Sequence, residues 1–240
     1  MITLFNFKGA LLAMSRNFLC VNPKSYLHGK ELYEFAIYLD KIAKMYNFDI
    51  YLTSPTLYLI SLKEKCRTVK ITSQEINVNF SYKDMGGMDT FWLKEIGIQA
   101  IVLNHVSNPM NRADLTMAIQ MCKEYKLESI VCVDDYEEID FVSKLKPDIM
   151  VCEQHKLIGK GKVSDNYYMK KSNEIIKSNS PLTKISQSAG IRSKFDIINA
   201  FKNGADGTGI TSGIFCAKNP SEKLIEFLEA TKMAIDKYGG

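Results

Sequence analysis

A closed parallel barrel, an α/β fold built as one domain, is the architecture this sequence predicts. Two observations carry the prediction. From Asn17 onward, short apolar runs alternate with longer amphipathic stretches eight times, the pattern of a (β/α)8 barrel. The first strand-like run is followed by Asn22-Pro23-Lys24-Ser25-Tyr26, with no glycine before Gly29. The Gly-rich turn that opens a dinucleotide-binding open sheet is therefore missing, and an open doubly wound sheet is the weaker alternative.

In chain order, the expected strands are Phe18–Asn22, Asp49–Leu52, Val69–Thr72, Ala100–Asn104, Ser129–Val133, Asp148–Cys152, Thr183–Ser186 and Gly207–Ile210. Between them the pattern predicts helices at Gly29–Tyr46, Pro55–Lys63, Asp89–Ile96, Asn111–Tyr125, Tyr136–Leu145, Asp165–Lys177, Ser193–Asn203 and Ser221–Lys237. The stretch Asn111–Tyr125 illustrates the period: Leu115, Ala118, Ile119 and Cys122 fall on one face, while Arg112, Gln120 and Lys123 fall elsewhere. No Pro/Gly/Ser-rich linker divides the chain, and 46% hydrophobic content is ample for one core.

Residues 1–16 are set apart as a loose N-terminal extension, and 17–240 form the barrel domain. Lys8 and Gly9 interrupt the apolar start and no basic segment precedes it, so a secretory signal is not expected. Met14-Ser15-Arg16 directly before the first strand leaves the true start site open. No run is long enough to span a bilayer. A net charge of +4 spread along the chain argues against a nucleic-acid binder, which would carry a basic stripe. The six cysteines contain no C-x-x-C pair, and Cys20, Cys132 and Cys152 lie inside apolar runs. A reduced, cytoplasmic setting follows as the expectation.

In such a barrel the functional groups stand where strands end at the C-terminal face. Those positions hold Asn22 and Lys24, then Gln74, then Asn104 and His105, then Glu153, and finally Ser188-Ala189-Gly190 and Ser212-Gly213. Glu153 stops an apolar run abruptly and is followed by a loop containing Gly159 and Gly161, with Ser164 as the expected helix N-cap and Asp165 in the first turn. A carboxylate, an imidazole, an ammonium and backbone amides are the groups needed to move a proton next to a carbonyl in a phosphorylated substrate. Taken singly, Lys24 reads as a solvated loop lysine and His105 as readily as a core side chain; their register at successive strand ends is what counts. No His/Cys/Asp/Glu cluster has metal-ligand spacing, so no metal is expected.

These segments resemble the triosephosphate isomerase family, and its shorter archaeal-type members most. The resembling stretches are V-N-P-K-S-Y at Val21–Tyr26, I-V-L-N-H at Ile101–His105, C-E-Q-H-K-L-I-G-K-G at Cys152–Gly161 (the family has E-P-P-E-L-I-G-T-G), S-A-G-I-R at Ser188–Arg192, and G-I-T-S-G-I-F-C-A-K-N-P at Gly209–Pro220. The resemblance implies a TIM barrel and a cytoplasmic aldose–ketose isomerase of glycolysis and gluconeogenesis that uses no cofactor. It also implies a homo-oligomer, dimer or tetramer, acting on a small phosphorylated sugar. It implies Glu153 as the proton-shuttling base, His105 as the group polarising the carbonyl and Lys24 as the stabiliser of negative charge, with Asn22 lining the pocket. Gly159, Ser188, Gly190, Ser212 and Gly213 would surround the phosphate, mainly through N–H groups, under a closing lid. These roles belong to the family's known mechanism and are carried over by resemblance.

The chain departs from the family at four places. H-V-S-N at His105–Asn108 replaces H-S-E-R, so the acid two places after the histidine is missing. Gln154 stands where the first hinge residue is usually proline, and His155, Lys156 and Lys160 add charge to the lid. Gly86-Gly87-Met88 replaces the third-loop T-G-E or T-G-H that docks into a neighbouring subunit. These departures keep two alternatives open: an isomerase of a four-carbon sugar phosphate, and a phosphate-ligand binding protein with little catalysis.

Overall fold

In the computed structural model, which describes residues 17–81, 83 and 85–239, eight strands form a closed parallel barrel in sequential order. The strands are β1 (Phe18–Val21), β2 (Asp49–Ser54), β3 (Lys70–Ser73), β4 (Ala100–Leu103), β5 (Glu128–Val133), β6 (Ile149–Cys152), β7 (Lys184–Gln187) and β8 (Gly207–Ile210). Pairing of β1 with both β2 and β8 closes the ring, with Phe18 opposite Asp49 on one side and Gly207 on the other. The helices are α1 (Gly29–Ala43), α2 (Leu59–Lys65), α3 (Thr90–Glu95), α4 (Arg112–Tyr125), α5 (Tyr136–Lys144), α6 (Asn166–Asn179), α7 (Lys194–Lys202), α8 (Ser212–Phe215) and α9 (Pro220–Tyr238). The extension expected for residues 1–16 lies outside the described residues.

Strand alternation divides the apolar residues into two cores. Leu19 and Val21 of β1 join the large core between strands and helices, together with Leu115, Ala118, Ile119 and Cys122 of α4. Phe18 and Cys20 point the other way, into the barrel, where they meet Tyr51, Ala100, Ile130, Cys132, Ile149 and Val151. Inward positions on β8 are glycines because nothing larger fits: a Cβ on Gly207 would lie 2.5 Å from the Phe18 carbonyl oxygen. At the N-terminal ends of the strands the interior is closed by charge. Lys70 Nζ stands 3.0 Å from Asp49 and 2.5 Å from Glu128, Lys184 lies 3.5 Å from Asp49, and the Tyr51 hydroxyl donates to Glu128. Burial alone would lower the Lys70 pKa, but Glu128 and then Asp49 outweigh it and hold the ammonium above its usual value.

Several boundaries differ from the sequence expectation. β4 stops at Leu103 because Asn104 takes a left-handed backbone (φ 57°). The expected helix Gly29–Tyr46 ends at Ala43, and its successor is preceded by a 3-10 turn at Thr56–Tyr58. A short helix, α8, occupies the segment after β8, where the pattern predicts no helix before Ser221. The N-cap of α6 is Asp165, whose carboxylate accepts from the Tyr168 amide, and not Ser164, whose hydroxyl is buried without a hydrogen-bond partner. Aspartate wins because it offers a charged acceptor to a helix N-terminus.

Candidate active site

One cavity of about 140 Å³ opens at the C-terminal face, and Lys24, His105 and Glu153 all line it. So do Asn22, Gly159, Ser188, Gly190 and Ser212. Three groups from the loops after β1, β4 and β6, at positions 24, 105 and 153 of the chain, are thus brought to one small space.

Glu153 owes its direction to alternation. Ile149 and Val151 face the barrel interior, so the next residue in phase, Glu153, enters the cavity. Its backbone is held at the sheet edge by the N–H bond to Val133 O, 2.9 Å. Burial raises its pKa above 4.5, and the positive charges of Lys24 and His155 only partly offset this. A carboxylate shifted upward is a better proton acceptor than an ordinary surface glutamate.

For His105 alternation alone would fail. Ala100 and Val102 face inward, so Asn104 should enter the cavity and His105 should point away. The left-handed turn at Asn104 resets the phase. Asn104 Nδ2 then donates to Cys132 O at 3.0 Å and to Glu138 Oε1 at 2.8 Å, while its Oδ1 accepts from the Met110 amide at 3.0 Å. His105, freed to turn inward, has the Ser107 amide 3.2 Å and the Ser107 hydroxyl 2.6 Å from Nδ1. A backbone N–H can only donate, so Nδ1 is an acceptor and the ring proton sits on Nε2. Burial first, then the charges of Lys24 and His155, push the His105 pKa down to about 4. The ring is neutral at physiological pH and presents an N–H donor. The acid missing two places after the histidine is replaced by a serine that still supplies the amide contact.

Lys24 is held by a compact turn. Its backbone is left-handed (φ 45°), and its N–H donates to Asn22 Oδ1 at 2.8 Å. The same oxygen accepts the Thr53 hydroxyl at 2.7 Å. Asn22 therefore fixes the loop that carries the ammonium while itself lining the cavity.

Gly159, Gly190 and Ser212 line the same cavity from the loops after β6, β7 and β8, the last two being where barrels of this kind hold phosphate. The Ser188 amide is committed to Cys152 O at 3.3 Å, and its hydroxyl bonds to that of Ser186 at 2.6 Å. Gly213 is not among the lining residues. It is buried at the start of α8, where a Cβ would lie 2.5 Å from Ile191 O. Gln74 lines a neighbouring cleft, which also reaches His105. Among the described residues, no three His, Cys, Asp or Glu side chains are gathered to hold a metal ion, and no helix is long and apolar enough to cross a membrane.

Sequence reasoning passed over Thr53 and Tyr26, which also line the cavity. Thr53 was discoverable: β2 runs to Ser54, and reading its true end would have placed a hydroxyl at a strand tip. Tyr26 gave no such signal, since its ring is set by stacking on Phe215 from the far end of the chain.

A family model described as triosephosphate isomerase matches residues 17–218. The chain is 26% identical over 225 residues to the triosephosphate isomerase of Sulfolobus acidocaldarius, covering 91% of this chain and 96% of that one. It is 27% identical over 223 residues to that of Metallosphaera sedula, covering 90% and 96%. With the enzyme of Methanobrevibacter smithii it shares 34% identity over 139 residues, 57% of this chain and 63% of the other.

Proposed function

The chain belongs to the triosephosphate isomerase family, and from that premise we propose that it interconverts dihydroxyacetone phosphate and D-glyceraldehyde 3-phosphate through an enediolate. One observation supports the reading above all: an ammonium, a neutral imidazole and a carboxylate of raised pKa share one 140 Å³ cavity. In this reading the Glu153 carboxylate takes the proton from C1 of the ketose, and the electron pair moves toward the C2 oxygen. His105 Nε2–H donates to that oxygen as charge develops, and Lys24 stabilises the same charge. The proton returned by Glu153 to C2, with the hydroxyl protons redistributed, gives the aldose. These steps are the family's known ones, applied to the matching residues. Gly159, Ser188, Gly190, Ser212 and Gly213 complete the proposed phosphate end; for Gly213 the role is to let α8 pack closely behind Ser212.

The segment after Glu153 acts in this reading as a lid that keeps water from the enediolate. A homo-oligomer is part of the proposal, supported by the exposed Met85, Phe91 and Trp92 around the third loop and α3. A cytoplasmic, reducing setting is supported by the six free cysteines among the described residues. The test is turnover of purified protein on three- and four-carbon sugar phosphates side by side. Faster conversion of the triose phosphates is expected; turnover at background on both, together with tight calorimetric binding, would favour the binding-protein alternative.

A further inference from the structure

Asp134 lies one residue beyond β5, between the loops that carry His105 and Glu153, and every polar group it has is engaged. Its amide donates to Glu138 Oε2 at 2.7 Å, and its carbonyl accepts from the Tyr168 hydroxyl at 2.6 Å. Glu138 uses its other oxygen, Oε1, to accept from Asn104 Nδ2 at 2.8 Å. The Tyr168 ring is in turn stacked on Tyr136, with centroids 5.6 Å apart. The backbone of Asp134 is therefore fixed from both sides, by α5 and by α6, and its carboxylate is an anchor with a defined direction.

What that anchor holds is the first turn after Glu153. Oδ1 accepts from the backbone N–H of His155 at 3.0 Å, and Oδ2 stands 3.2 Å from His155 Nδ1. The turn continues as the 3-10 segment His155–Leu157, and the chain then reaches Ile158 and Gly159 on the cavity wall. At its far end the same segment rests on the loop after β7, where Lys162 O approaches Gly190. The cover of the cavity is thus attached at two points, and the Asp134 attachment is the one next to the carboxylate of Glu153.

We propose that Asp134 is a positioning residue for the reaction: by clasping His155 at two atoms it sets the path of the chain out of Glu153 and the seating of the segment over the cavity. The clasp stands where the chain departs from the family pattern E-P-P-E. The P-P of the family pattern at these two positions restricts φ through its rings and offers no N–H at residue 155. Here Gln154 keeps a proline-like φ of −60°, and the restraint on the next residue has passed to a carboxylate in another loop. Through Glu138 and Asn104 the same hydrogen-bond chain also reaches the turn that points His105 inward. A shift of about 1 Å at groups so placed is enough to lower turnover by one to two orders of magnitude.

The inference rests on the reading of Glu153 as the base, and the test separates the two. Five proteins are compared: wild type, Asp134→Ala, Asp134→Asn, His155→Pro and the Asp134→Ala/His155→Pro double variant. In the His155 background Asp134→Ala lowers kcat about tenfold with a smaller change in KM, and Asp134→Asn, which keeps an acceptor for the His155 N–H, recovers most of the loss. In the proline background, where the N–H is gone, Asp134→Ala has no further effect. An equal loss in both backgrounds would show that Asp134 acts elsewhere and would overturn the clasp. Tryptic cleavage after Lys156 is a second readout that needs no activity: it is faster in Asp134→Ala at unchanged thermal stability. Unchanged cleavage overturns the clasp, whereas absent turnover in wild type with accelerated cleavage in the variant sinks only the functional reading.

Discussion

Replacing Gly190 by alanine is the sharpest probe of how the cavity is covered. Gly190 has φ 67°, and a Cβ there would stand 2.2 Å from Lys162 O and 2.4 Å from Lys162 C. The obstacle is backbone, so no rotamer change can relieve it. Ordinary contact begins near 3.4 Å, and the segment 158–162 must therefore retreat by roughly 1 Å, which at a positioned loop costs up to about 100-fold in rate. The left-handed backbone adds about 1 kcal/mol of strain for alanine. For a chain of this size that corresponds to a fall in Tm of about 2–4 °C. The expected result of a coupled isomerisation assay with parallel thermal melts is a folded protein with kcat/KM down by one to two orders of magnitude. An alanine variant within twofold of wild type would refute the argument that Lys162 and Gly190 are locked together.

Three further outcomes follow from charge and burial. The acid limb of kcat/KM, once corrected for the substrate phosphate with its second pKa of about 6, should lie above the ordinary 4.5 of a glutamate because burial raises Glu153; a limb at or below 4.5 contradicts this assignment. The folded chain protonates His105 only near 4 against 6.5 when unfolded, so the unfolded state binds more protons between these values and stability rises with pH across the window. His105→Gln should remove about 2 kcal/mol of that rise, discounted for partial exposure, in urea melts at pH 4.5 and 7; an unchanged slope would show that the ring is not held neutral. Among the described residues, Lys70→Met leaves Asp49 with Lys184 at 3.5 Å and Glu128 with the Tyr51 hydroxyl. It should cost about 2–4 kcal/mol in urea unfolding without lowering activity more than twofold; a loss below 0.5 kcal/mol would remove the charged closure from the account of stability.

Much of this was legible before any coordinates, for a physical reason. A barrel strand buried on both faces is largely apolar, so in the apolar runs of β1, β4 and β6 the first polar residue marks the C-terminal rim where substrates bind. Asn22, Asn104 and Glu153 were found in that way, with His105 one residue beyond Asn104 and Lys24 two beyond Asn22. The phase of His105 was not legible, because it depends on a left-handed Asn104 held by Cys132 and Glu138 from other strands and helices. The N-cap of α6 was misread by one residue because Ser164 and Asp165 are both good caps and only packing chooses between them. Helix α8 was hidden because four residues carry no periodicity. Asp134 carried no signal in the sequence, because its two-atom hold on His155 exists only once β5 and β6 are adjacent.

The central claim is that Glu153 moves the proton between C1 and C2. Incubating the protein with dihydroxyacetone phosphate in deuterium oxide, and following loss of the C1 proton signal by NMR, measures that step without waiting for product. Wild type should exchange rapidly, and Glu153→Gln, similar in size and unable to accept the proton, should fall by at least about 1,000-fold while keeping its melting temperature. Exchange in Glu153→Gln at the wild-type rate would contradict the account.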